Sequence, residues 1–139
     1  MENLQAYGWA IASIAVYAIL TNVLNAMVGV RKGALDMAPG SDFDPAGYDN
    51  PNWRLDRTYM NAVEMGGFYV AVVIAAILAG GPIFWVNLLA AGGLICRLLA
   101  TVIYIRGIGK GYGGVRTGLA IVASILNVGL GVLAIAALL

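Results

Sequence analysis

Four apolar runs, at about residues 4–30, 54–79, 83–105 and 116–138, constrain this chain more than any motif in it. A helix crossing the ~30 Å hydrocarbon core of a bilayer needs ~20 residues at ~1.5 Å each, and every run is long enough. Only 11% of the 139 residues are charged and 61% are hydrophobic, whereas soluble domains carry about 25% charged residues. The reading is all-α: an integral membrane four-helix bundle, one transmembrane domain over residues 1–139, with no length left for a soluble domain. Met1-Glu2-Asn3-Leu4 lacks the basic start and small-residue cleavage site of a signal peptide, so the first span is expected to be retained.

Composition removes several function classes. A net charge of +1 argues against nucleic acid as a partner. With no His, His-based triads and most zinc sites are excluded, and no metal site is expected. The lone Cys96 excludes a disulfide framework within the chain. Asp42-Phe43-Asp44-Pro45-Ala46-Gly47 superficially matches a calcium loop. Its fifth position has no oxygen ligand and its twelfth is Trp53, so residues 33–53 read as a solvated turn region. The glycines between Arg106 and Val115 follow no strand and cannot be a dinucleotide fingerprint.

Within the spans, Tyr7 and Trp9 suit an interface, and Arg31-Lys32-Gly33 closes the first run. Asn22 and Asn25 are expected to make interhelical hydrogen bonds, and Gly118, Gly129 and Gly131 to allow close helix contact. Gly80-Gly81-Pro82 is a tight turn. Arg31, Lys32, Arg54, Arg57, Arg106, Lys110 and Arg116 all flank the loops after spans one and three. The positive-inside rule puts loops 31–53 and 106–115 in the cytoplasm and both termini outside.

Charge then enters the second span. At about 100° per residue, Arg54, Arg57, Asn61 and Glu64 fall within roughly 80° of arc, one polar stripe running into an apolar helix. A carboxylate at that depth is costly unless it is paired or faces water, which makes it a functional candidate. The alternative is an ion pair that only fixes packing. Glu64 lies sixteen residues before Gly80 (80 − 64), and Arg97 sixteen after Gly81 (97 − 81). The tight turn makes these helices antiparallel neighbours, so the two charges are expected at one depth and paired. Arg97, Thr101 and Tyr104 share a face of the third span. The two stripes would open towards the cytoplasm under several arginines, a setting that favours an anionic ligand and a depressed thiol pKa. Lipid phosphates alone would account for Arg31, Lys32, Arg106 and Lys110.

These residues resemble those of the membrane-associated proteins in eicosanoid and glutathione metabolism (MAPEG), in a bacterial-type form. Arg54-x-x-Arg57-x-x-x-Asn61-x-x-Glu64 is similar to the family's second-span signature, and Arg97-x-x-x-Thr101-x-x-Tyr104 to its third-span segment. Val30-Arg31 and Arg116-Thr117 resemble the end of its first span and the start of its fourth. Gly67 stands where the family often has Pro, and the loop before Arg116 is long and glycine-rich. The resemblance implies a homotrimer of four-helix protomers binding glutathione, as co-substrate, between neighbours near the cytoplasmic face. Arg57, Asn61, Glu64 and Tyr104 would hold the tripeptide, with Arg31 and Arg54 adding charge, Arg97 supporting Glu64, and Thr117 adding a hydroxyl. Arg116 would be catalytic, stabilising the thiolate.

The leading expectation is a glutathione-dependent membrane enzyme that conjugates or reduces a lipophilic electrophile or peroxide drawn from the bilayer. The alternative is a non-catalytic lipid-binding scaffold or accessory subunit of a larger membrane complex. A small transporter is a third reading, but the arginine-rich mouth suits anions better than cations.

Overall fold

The computed structural model describes residues 2–139 and is all-helical. A short helix α1 (Glu2–Gln5) leads into α2 (Gly8–Ala34), followed by α3 (Pro51–Leu78), α4 (Ile83–Ile105) and α5 (Val115–Ala136). The last four are each long and apolar enough to cross a membrane. Their outer surfaces carry exposed Ile19, Leu78, Phe84, Val128 and Ile135, as lipid-facing helices require.

The boundaries follow from local chemistry. The first long helix starts at Gly8, later than expected, because the chain breaks at Ala6–Tyr7. Asn87 heals that break: its Oδ1 accepts from Ala10 N at 2.9 Å and its Nδ2 donates to Ala6 O at 2.7 Å. The same helix continues past Val30 to Ala34, which puts Arg31 and Lys32 in its last turn, where the helix dipole favours cations. Helix α3 starts at Pro51, earlier than expected. The Asn50 side chain accepts from Asn52 N and Trp53 N, and Pro51 occupies a first-turn position that needs no amide hydrogen. Between α3 and α4, Gly80 takes φ +71°, a backbone state a side chain would strain, and Gly81 N donates to Ala76 O at 2.9 Å.

Two apolar clusters hold the bundle. One, near the tight turn, joins Tyr17, Tyr69, Val73, Val86, Ala90 and Leu130. Its tyrosines satisfy their hydroxyls on backbone carbonyls, Tyr17 on Ala62 O at 2.9 Å and Tyr69 on Ala90 O at 2.8 Å. The other lies at the loop end and joins Leu24, Val28, Leu55 and Ala62 to Phe43. Phe43 is 3% exposed, so the 35–50 connection is folded onto the bundle and is no mere solvated turn. Close packing uses glycine as expected at position 129, where a Cβ would meet Leu89 at 3.2 Å, but Gly118 faces open space. Gly66 does similar work beside Tyr17, 3.0 Å from a built Cβ.

Several side-chain expectations are corrected. Asn22 donates to its own helix, to Ala18 O at 2.9 Å, and both Asn22 and Asn25 are exposed, so neither bonds across helices within the protomer. Lys32 is not reserved for lipid phosphate: its Nζ pairs with Asp56 at 3.0 Å and lies over the Phe43 ring. That is the one ion pair among the described residues. The expected Glu64–Arg97 pair therefore does not form within the protomer. Sixteen residues from the turn set equal depth but not equal direction. The buried stripe of α3 runs through Thr58, Ala62, Tyr69 and Val73, and Glu64 lies about 200° around from Ala62. Its side chain is exposed on the outer face, while Arg97 is half-buried.

Candidate functional site

At the loop end, α3, α4 and α5 leave three hollows that share walls. The innermost is a cavity of about 40 Å³ between Tyr17, Thr58, Arg97, Thr101, Tyr104 and Arg116, room for a water molecule. A second, about 470 Å³, opens beneath the 35–50 connection and is lined by Asp42, Trp53, Arg57, Asn61, Tyr104 and Arg116. The third, about 530 Å³, runs along α3 and α5 into the apolar zone. Its upper wall holds Asn61, Glu64, Arg97, Arg116 and Thr117, and its lower wall Met65, Ile121, Ile125 and Val128. Asn61 and Arg116 border all three.

The structure thus brings together Arg57, Asn61, Glu64, Arg97, Tyr104, Arg116 and Thr117 around one recess. Glu64 and Arg97 share a groove even though they form no ion pair. Two candidates stand elsewhere. Arg54 is occupied by the chain itself: Nη1 donates to Tyr48 O, Nε to Ile105 O at 3.3 Å, and the guanidinium packs where a Cβ on Gly107 would lie. Arg31 is exposed and borders a separate apolar groove with Met27, Pro51, Asn52 and Ile105.

Arg116 is the most constrained of the set. It sits in the first turn of α5, and its guanidinium carbon lies 4.4 Å from the Tyr104 ring centroid. Nη2 donates to Gly111 O at 3.1 Å. Its Nε is buried with no partner, and so is the Thr117 hydroxyl beside it. Unsatisfied buried donors are uncommon, and these two border a recess large enough for a ligand. With Arg57, Arg97, the Arg116 guanidinium and the positive end of the α5 dipole at its wall, the recess favours an anion. Apolar walls below and charged walls above also suit an approach from two phases.

Sequence reasoning missed Asp42, Trp53, Tyr17 and Ser124 as lining groups. Asp42 was within sight in the rejected calcium-like segment, but nothing local shows that its loop returns over the helix ends. Trp53 and Ser124 follow the helical spacing of Arg57 and Thr117, so the period could have found them.

A multi-pass helical bundle with a cationic recess at one end is the class these features define. The MAPEG family model matches residues 6–136, and the chain belongs to the MAPEG family, an integral multi-pass membrane family that includes glutathione-dependent transferases and peroxidases as well as non-catalytic members. Among curated proteins, none matches the chain.

Proposed function

We propose that this chain is a glutathione-dependent membrane enzyme that activates the glutathione thiol for attack on a lipophilic electrophile, or for reduction of a lipophilic peroxide. The observation that carries this reading is Arg116, held by Tyr104 and Gly111 with its Nε buried and unpartnered beside the unpartnered Thr117 hydroxyl. Fixed donors in a partly dry recess stabilise a developing anion more than mobile ones in water. The tripeptide's carboxylates would be met by Arg57 and Arg97, with Asn61, Glu64 and Tyr104 completing the wall. The thiol proton passes to solvent and the thiolate stays beside Arg116. In conjugation the sulfur forms a C–S bond to the electrophilic carbon and the leaving group departs with its electron pair. In peroxide reduction two glutathione thiols supply two electrons, giving glutathione disulfide, an alcohol and water. The lipophilic partner would enter from the bilayer past Ile121, Ile125 and Val128.

The assembly would be a homotrimer. Support for an assembly of several copies comes from Glu64, exposed on the outer face of a membrane-spanning helix, where contact with lipid would cost several kcal/mol; the number three is what the family resemblance implies. A second copy covering that face would shield it, and would let Arg31 of one protomer reach the recess of another. Both termini would lie outside and the two long connections in the cytoplasm, which the distribution of Lys and Arg supports. The purified trimer in detergent is expected to conjugate glutathione to a generic electrophile, and Arg116→Ala to lower the rate about 10²–10³-fold. An inactive wild type, or a fully active Arg116→Ala, refutes the proposal.

One observation favours a non-catalytic lipid-binding or accessory role instead. Arg54 is committed to the loop backbone and Arg31 lies outside the protomer's recess, which leaves fewer free cations for a tripeptide. That reading calls for stable co-purification with other subunits and no glutathione binding.

A further inference from the structure

Arg116 has two partners within the protein, the Tyr104 ring and the Gly111 carbonyl, and one side chain packs against both Tyr104 and Gly111. Tyr48, carried on the connection between α2 and α3, stacks on Tyr104 with ring centroids 5.3 Å apart and planes tilted by 53°. Its ring and Cβ also fill the space over Gly111, where a built Cβ would stand 3.1 Å from Tyr48 Cγ and 3.2 Å from Tyr48 Cβ. Tyr48 is itself anchored: its carbonyl accepts from Arg54, whose guanidinium lies 5.5 Å from its ring, and its hydroxyl donates to Ile108 O at 3.3 Å. The glycine-rich connection thus carries no motif for a nucleotide. It provides clearance at position 111 for an aromatic ring that arrives from 63 residues earlier in the chain (111 − 48).

The geometry points to Tyr48 as a positioning residue that holds the Arg116 guanidinium in its thiolate-stabilising place by packing at once on Tyr104 and Gly111. The inference rests on the glutathione reading above and deepens it. A guanidinium that swings away from a thiolate lowers the thiol pKa less, because opposite charge within ~4–6 Å is what depresses it. Side-chain stacking also keeps Arg116 from turning to the solvent-exposed side of the 106–114 connection, where water would satisfy it.

The test is an ultraviolet pH titration of the thiolate of glutathione bound to the intact detergent-solubilised protein, run beside the pH profile of kcat/KM with a generic electrophile. Tyr48→Ala is expected to raise the thiolate midpoint by about one pH unit and to lower kcat/KM roughly tenfold below that midpoint. The rate should converge on wild type at high pH, where the thiolate forms unaided. Tyr48→Phe keeps the ring on Tyr104 and Gly111 and should restore the wild-type midpoint. Gly111→Ala displaces Tyr48 from the other side, gives an independent variant if Tyr48→Ala does not fold, and should reproduce the shift. The double variant should be no worse than either single one, since each removes the same contact. A wild type that forms the thiolate and a Tyr48→Ala or Gly111→Ala variant with the same midpoint overturns the positioning role alone. A wild type that forms no thiolate refutes the glutathione reading, and the role of Tyr48 falls with it.

Discussion

Removing one member of the Lys32–Asp56 pair tests how the ends of α2 and α3 are fixed beside the recess. The charges are 3.0 Å apart and each side chain is 12% exposed. At an effective dielectric of about 20, Coulomb's law gives roughly 5–6 kcal/mol of attraction. Desolvating each ion costs several kcal/mol, so the net coupling should be about 2 kcal/mol. The two single substitutions should differ. After Asp56→Asn, Lys32 can extend its flexible stem to water at the loop end and keeps the Phe43 ring, 5.3 Å from Nζ. Its cost should be about 1–2 kcal/mol. After Lys32→Met, the short Asp56 side chain has no stem to extend and stays largely buried without a partner, so the cost should be about 3 kcal/mol. At about 3 °C per kcal/mol for a chain of this size, thermal unfolding in detergent should show drops of roughly 3–6 °C and about 9 °C. The double variant should recover about 2 kcal/mol of the summed loss. Strict additivity, or a larger loss from Asp56→Asn than from Lys32→Met, would show that the pair does not lock these helices as argued.

Arg116→Lys keeps the charge but loses the planar stack on Tyr104 and the hydrogen bond from Nη2 to Gly111 O. Conjugation assays should show kcat/KM reduced about 10²-fold, with little recovery at higher glutathione concentration. Glu64→Gln should leave protomer helicity by circular dichroism unchanged, since Glu64 makes no hydrogen bond or ion pair among the described residues. The same variant should weaken glutathione binding about tenfold by calorimetry, and unaltered affinity would remove Glu64 from the site. Tyr17→Phe loses the bond to Ala62 O and should cost about 1 kcal/mol in thermal unfolding. Gly129→Val must push Leu89 aside and should cost about 1–3 kcal/mol, whereas Gly118→Val, facing open space in the protomer, should disturb folding far less.

Helix number, the tight turn and the polar stripe were legible because each depends on local sequence alone. Hydrophobic run length sets a span, Gly80 and Pro82 set a turn, and helical periodicity puts Arg57, Asn61 and Glu64 on adjoining directions. The depth of Glu64 and Arg97 was legible too, since rise per residue fixes it. Their direction was not, although the pattern held a clue: Ala62, Tyr69 and Val73 define the inner face of α3, and Glu64 points away from it.

The remaining placements depended on segments far apart in sequence. Asp56 selects Lys32 across 24 residues (56 − 32), Phe43 leaves its polar loop for the core, and Arg54 turns from the recess to the backbone of Tyr48 and Ile105. Such choices depend on which carbonyls and rings arrive nearby when the helices pack, and no periodicity encodes that. Sequence by itself determined a chain that must cross a membrane four times with cationic groups gathered at one end. Only the tertiary structure decided which of those cations bind the protein's own backbone and which, like Arg116, keep a buried donor free beside a recess. The physical reason is that burial in lipid is governed by summed local hydrophobicity, whereas hydrogen-bond partnership is governed by angstrom-scale distances between remote residues.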